Sequence, residues 1–196
     1  MCFKYAIALT GSIATGKSSV ATIFRSFGFD IIDVDKIAHS LLDENYLNIS
    51  KLFGKEYIED KKVNRKLLGK IIFSNREAKD KLEKLLHPLI YQEIKSLSIE
   101  KDKFKKPYII DIPLFFETNR YPIKRTIVVY TPKDKQLHRL MIRDNSSKEE
   151  AQQRIDNQID IEEKKLKATY LIDNSQDLKF LQEECDKVKE NILLNF

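Results

Sequence analysis

The chain has 196 residues, 42% apolar and 33% charged, a globular composition in a length that favours one compact domain carrying insertions. A net charge of +5 is spread through lysines interleaved with acids, as in Lys51 to Lys66 and Glu162 to Lys167, with no aromatic-interleaved basic stretch, so nucleic acid is not an expected partner. No run approaches the roughly 20 apolar residues of a membrane helix, Phe3 to Leu9 lacks a basic leader, and only Cys2 and Cys185 could pair; a cytoplasmic protein without membrane span, disulfide framework or zinc site is expected.

Tyr5-Ala-Ile-Ala-Leu9 reads as a buried strand, and a helical pattern through Val20, Ile23 and Phe24 begins after Ser18. Between them Gly11-Ser-Ile-Ala-Thr-Gly16-Lys17-Ser18 has the spacing G-x4-G-K-S of a phosphate loop, in the strand-to-helix context the mechanism requires. Glycines let such a loop wrap phosphate oxygens while backbone N–H groups and the helix dipole point at them. Residues Gly11, Ser12, Ile13, Ala14, Thr15, Gly16, Lys17, Ser18 and Ser19 are therefore the candidate ATP cradle. Lys17 is placed on the β- and γ-phosphates, and the Ser18 hydroxyl is the candidate ligand to Mg2+.

Gly28 marks a turn, Phe29 to Ile32 a second strand, and Asp33-Val-Asp35 stands at its carboxyl end, where doubly wound sheets bind ligands. Asp33 is read as the base that takes the proton of an attacking hydroxyl, and Asp35 as the cap of the next helix or a ligand to a magnesium-bound water. About 70 helical residues follow. Ser74 and Glu77 suggest a capping box before Ala78, Leu82, Leu85, Leu86 and Leu89, and Pro88 is expected to divide this segment into two helices meeting at His87-Pro88.

Tyr108 to Ile112 and Thr126 to Tyr130 read as interior strands of a parallel sheet, and Thr169 to Ile172 as a fifth strand. Between the last two lie a helix through Leu137 to Ile142 and another opened by the capping box Ser147 to Glu150. Arg139 and Arg143 share one helix face, Arg154 and Gln158 the next, as a lid closing over ATP would need; Arg143 is the first choice for the transferring phosphoryl group, and salt bridges to Asp144, Glu149, Glu150 and Asp156 are the competing use of this cluster. The chain closes on a helix from Leu178 to Leu193 with Phe180, Leu181, Val188 and Ile192 facing the core.

A GTPase is excluded because Asp111-Ile-Pro-Leu114 lacks the switch glycine and Thr131-Pro-Lys-Asp134 misplaces the guanine-reading lysine. The set Gly11 to Ser18, Ile32 to His39, Leu85-Leu-His-Pro-Leu-Ile90, Asp111 to Glu117, Arg143-Asp144, Arg154 with Gln158, and Ile172-Asp-Asn174 resembles the dephospho-coenzyme A kinases in order along nearly the whole chain. The resemblance implies an α/β three-layer P-loop kinase fold: a five-stranded parallel sheet, a helical acceptor-binding insertion and a helical lid. It further implies transfer of the ATP γ-phosphoryl group to the ribose 3′-hydroxyl of dephospho-coenzyme A. The expected division is one domain over 1–196, with core 1–33, 105–132 and 168–196, insertion 34–104 and lid 133–167.

Carried over onto this chain, Asp33 becomes the base for that hydroxyl. Asp111 lies near the metal and the acceptor, Arg139 and Asn174 near ATP, and His87, Leu114 and Arg154 near the acceptor. For His87 a helix-ending role, and for Leu114 to Phe116 plain core packing, stand beside these. Glu117 either orients substrate or holds a lid residue. The family's loop is richer in glycine than Ser12, Ala14 and Thr15 make it here; if residue 14 needs positive φ, alanine is strained there by roughly 1 kcal/mol or more. Two other readings share some of these features: a kinase for another small acceptor such as a nucleoside monophosphate or sugar acid, and a nucleotide-dependent binding module without catalysis. Small-molecule substrates and a monomer are expected.

Overall fold

The computed structural model describes residues 2–196. In chain order these form β1 (Ala6–Gly11), α1 (Lys17–Ser26), β2 (Ile31–Asp33), α2 (Val34–Glu44), α3 (Tyr46–Phe53), a 3-10 turn (Lys55–Tyr57), β3 (Ile58–Glu59), β4 (Lys62–Val63), α4 (Arg65–Ser74) and α5 (Arg76–Asp102). Then follow β5 (Tyr108–Asp111), α6 (Phe115–Thr118), β6 (Arg125–Tyr130), α7 (Lys133–Asp144), α8 (Lys148–Asp156), α9 (Ile161–Leu166), β7 (Tyr170–Asp173) and α10 (Leu178–Leu194). All five expected strands are present, in the sheet order β2-β5-β1-β6-β7. β1 runs parallel to both β5 and β6, and β6 parallel to β7.

The chain divides into two compact units, Met1–Ile32 with Ser98–Phe196, and Asp33–Leu97. In the first, β1 is buried along its whole length, so its residues are apolar on both faces rather than alternating. One face packs on Val20, Ala21 and Phe24 of α1 and on Leu181, Cys185, Val188 and Ile192 of α10. Phe180 is half-buried, and Cys185 takes a place on the buried face of α10 that the sequence pattern did not assign. Burial pushes the Cys185 thiol up to about 12, so it behaves as a small apolar side chain.

The second unit differs from expectation in four places. Asp33, not Asp35, caps α2: its backbone is extended and its side chain accepts from the Lys36 N–H at 3.0 Å, while Asp35 already lies inside the first turn. The start of α5 is capped by Asn75, whose Oδ1 accepts from the Ala78 N–H, because Ser74 belongs to the end of α4 and bonds back to Lys70 O. Asp60 and Lys61, both left-handed, close a β3–β4 hairpin. Asp43 secures it by accepting from the Val63 N–H and from Arg65.

The fourth difference is α5, one continuous helix with Pro88 inside rather than two helices. Leu86, Ile90 and Ile94 are buried while Pro88 and Lys84 are exposed. The carbonyl that Pro88 leaves without its helical donor is therefore on the solvent side, where water satisfies it, and the buried stripe runs through unbroken. Pro88→Ala should restore that hydrogen bond and stabilise the protein by about 1 to 2 kcal/mol after allowing for a freer unfolded chain, measured by chemical denaturation; a destabilised variant contradicts a continuous helix.

Candidate active site

In the first unit, β1 delivers the chain into the loop Gly11–Ser18, and Gly16, in the left-handed region at φ 88°, turns it into α1. The N–H groups of Gly16, Lys17 and Ser18 meet no acceptor among the described residues, leaving the donors an anion needs at a helix N-terminus. Ala14 has φ 61°, so the condition set by the sequence is met: an alanine occupies a left-handed position at a cost of about 1 to 2 kcal/mol.

Side chains from distant parts of the sequence hold this backbone. Gln158 Oε1 accepts from the Ile13 N–H at 2.8 Å, and Asn174 Nδ2 donates to Thr15 O at 2.8 Å. Thr131 Oγ1 reaches the same Thr15 carbonyl at 3.2 Å, and Thr15 Oγ1 donates to Ser12 O at 2.9 Å. Lys164 Nζ donates to Gly11 O at 2.9 Å. Lys164 is fully buried and pairs with Glu117 Oε1 at 2.6 Å. Desolvation lowers its affinity for the proton, and the hydrogen bond to Glu117 opposes that loss. The same Glu117 oxygen accepts from the Ile159 N–H, while Oε2 is buried without a hydrogen-bond partner.

Glu117 thus holds two residues of the segment 133–167, the second of the alternatives open from sequence. Lys164 was not identified, because Glu162-Glu163-Lys164-Lys165 reads as a solvated charge run; its spacing of three from the buried Ile161 was the available signal.

Lys17 forms an ion pair with Asp111, the last residue of β5, and both side chains are largely buried. Leu114 is exposed, whereas Phe115 is core; Pro113 O accepts from Thr10 Oγ1. Ile13 and Ala14 pack against the small apolar cluster of α7 and α8, Leu140, Ala151 and Ile155, so the lid helices rest directly on the loop. Arg139 donates to Asn174 O at 3.0 Å and to Thr131 Oγ1 at 3.3 Å. Arg143 grips Asp144 with Nε and Nη2, and Arg154 pairs with the same carboxylate. The competing use named for this cluster therefore falls to Asp144 alone. The Asn174 amide donates to the loop backbone. Hydrogen bonds from Arg143 and then Arg154 hold the Asp144 carboxyl well below the usual carboxylate range.

Within the second unit, Asp33 ends β2 and caps α2, with Lys36 Nζ 3.8 Å from its other oxygen. His87 is half-buried on α5 beside Asp80, Glu83, Lys84 and Pro88, which line a shallow cleft with it.

The family model for dephospho-CoA kinase matches residues 5–179. The dephospho-CoA kinase of Sulfurimonas denitrificans is 53% identical over 192 residues, covering 98% of this chain and 96% of that protein. That of Helicobacter pylori is 43% identical over 196 residues, covering 98% and 100%. The solved dephospho-CoA kinase of Campylobacter jejuni superposes with a TM-score of 0.78 at 44% identity, covering 96% of each chain.

Two outcomes follow from the geometry. A Cβ on Gly16 would lie 2.1 Å from Asn174 Nδ2. Gly16→Ala should therefore cost about 2 to 3 kcal/mol, the left-handed strain plus a lost hydrogen bond to Thr15 O, and should weaken ATP binding in a titration; unchanged stability and affinity contradict the clamp. Asp144 titrates below its ordinary 3.8, so its pairs with Arg143 and Arg154 stabilise the fold fully above about pH 4 and less as pH falls through the lowered value. Asp144→Asn should flatten the acid limb of stability against pH; an unaltered limb contradicts the pairing.

Proposed function

The chain belongs to the dephospho-CoA kinase family, and from that premise we propose how its residues divide the transfer of the ATP γ-phosphoryl group to dephospho-CoA. The enzyme phosphorylates dephospho-CoA with ATP, the final step of coenzyme A biosynthesis; of the acceptors weighed from sequence, family membership selects this one, at its ribose 3′-hydroxyl. The observation that carries the assignment of roles is the Lys17–Asp111 pair at the head of a clamped phosphate loop.

The loop amides from Gly11 to Ser19 take the triphosphate, and Lys17 bridges the β- and γ-phosphates. Because Lys17 is held by Asp111, phosphate binding moves the ammonium from one anion to another, and the largely buried Asp111 carboxylate it leaves is open to a cation arriving with the phosphates. Ser18 and Asp111 offer a hydroxyl and a carboxylate, and among the described residues no group of three or more His, Cys, Asp or Glu forms an all-protein cage. Such a donor set fits Mg2+: Ser18 and Asp111 would hold it, and it would supply positive charge beside the phosphates. Arg139 and Asn174 take the nucleoside side of ATP.

Arg143 serves the transferring phosphoryl group by exchanging the Asp144 carboxylate for phosphate as the lid closes, a change between two anions that an exposed ion pair permits at small cost. Asp33 accepts the proton of the acceptor hydroxyl, its carboxylate steadied in one rotamer by the Lys36 N–H. His87, Leu114 and Arg154 contact dephospho-CoA, the half-exposed Leu114 offering apolar surface. We assign the enzyme to the cytoplasm as a monomer acting on small molecules alone; among the described residues no helix is long and apolar enough to cross a membrane.

ADP release with ATP and magnesium, with and without dephospho-CoA, tests the assignment, with the product identified by mass. Asp33→Asn should leave ATP affinity intact and cut transfer by about two to four orders of magnitude, and Lys17→Ala should damage both; near-normal turnover in Asp33→Asn moves the base elsewhere.

A further inference from the structure

We propose that the Lys164–Glu117 pair is a positioning device that sets the phosphate loop for ATP, and that it is kept for this purpose rather than for stability. The inference rests on the reading of Gly11–Ser18 as the ATP site. Three observations lead to it.

The pair is expensive. Lys164 is wholly removed from water and Glu117 keeps one buried oxygen without a partner, so neither charge recovers all the hydration it loses. A well-packed apolar pair of the same volume would serve a core as well or better. The pair is also aimed: the ammonium spends its second hydrogen bond on Gly11 O, the carbonyl at which β1 gives way to the loop. Finally, it is connected. Glu117 Oε1 holds the Ile159 N–H, and the neighbouring Gln158 side chain holds the Ile13 N–H, so one carboxylate on α6 fixes the segment that grips the loop at two points.

In this arrangement Lys164 and Glu117 touch neither nucleotide nor acceptor. They act through the backbone at residues 11 and 13, whose placement decides where the free N–H groups of Gly16, Lys17 and Ser18 lie. A shift of the order of 1 Å in such donors costs about a hundredfold in rate where a charged group must be met.

The test replaces the pair by apolar side chains, Lys164→Met with Glu117→Leu, in the full chain. Thermal unfolding is expected to remain cooperative at or above the wild-type midpoint, while ATP affinity by titration and kcat each fall about tenfold or more and KM for dephospho-CoA stays within about threefold. A stable double variant with wild-type ATP affinity and turnover overturns the proposal, and so does a loss confined to the KM for dephospho-CoA. Lys17→Ala separates the two layers. If it retains ATP binding, the loop reading fails and the inference with it; if it abolishes binding while the double variant keeps wild-type affinity, the inference alone fails. Glu117→Gln keeps shape and acceptor while removing the charge, so it carries the same test should the double variant not fold: a weakened ATP affinity with unmoved acceptor KM supports positioning, and unchanged affinity overturns it.

Discussion

A buried lysine hydrogen-bonded to the first carbonyl of a phosphate loop is the contact on which the site depends. An anion-binding loop needs several backbone N–H groups left without protein acceptors and turned to one side, which is an unfavourable conformation for a chain that is otherwise free to satisfy them. The opposing force here comes from outside the loop. Lys164, Gln158, Asn174 and Thr131 bind Gly11 O, Ile13 N–H and Thr15 O, and each anchor lies more than a hundred residues away in sequence.

These anchors also explain how the loop tolerates Ala14. A left-handed alanine costs about 1 to 2 kcal/mol, but its half-buried methyl packs with Ile13 against Leu140, Ala151 and Ile155, returning part of that through apolar burial. The strain and the packing belong to the same contact, so the lid helices and the loop are energetically one object. Lys17 and Asp111 complete it: the loop's own cation is held beside the carboxylate at the end of the neighbouring strand, ready to change partners when phosphate arrives. The enzymatic step therefore begins from a site whose charges are already paired and whose donors are already placed.

The sheet was legible because its central strands are buried on both faces, giving continuous apolar runs such as Ile7 to Leu9 and Ile127 to Val129, and the loop because G-x4-G-K-S sits between such a run and a helix. Ser147 and Glu150 were legible as a reciprocal cap for a local reason, since both partners lie within one turn. What escaped was decided by tertiary context. Lys164 is masked by a run of acids and lysines: its spacing from Ile161 hints at a buried face, but the carboxylate that pairs with it lies 47 residues away. Pro88 reads as a breaker until its exposed side is known, and Asn75 displaced Ser74 as cap because Ser74 closes α4 and bonds back to Lys70 O. The β3–β4 hairpin carries no glycine, only Asp60 and Lys61 in left-handed conformations that are uncommon for lysine. Asp35 reads as the cap because Asp35-Lys36-Ile37 has a suitable spacing, but β2 ends one residue after Ile32 and Asp33 takes that place.

The most direct test of a loop set in advance by its anchors is amide hydrogen exchange across residues 11–18 before nucleotide is added. The Ile13 and Thr15 amides, bonded to Gln158 Oε1 and Ser12 O, should be protected in the protein alone, while those of Gly16, Lys17 and Ser18 should exchange freely and gain protection only with ATP. Rapid exchange at Ile13 and Thr15 until ATP is bound would show that the ligand, not the buried lysine and its partners, shapes the loop.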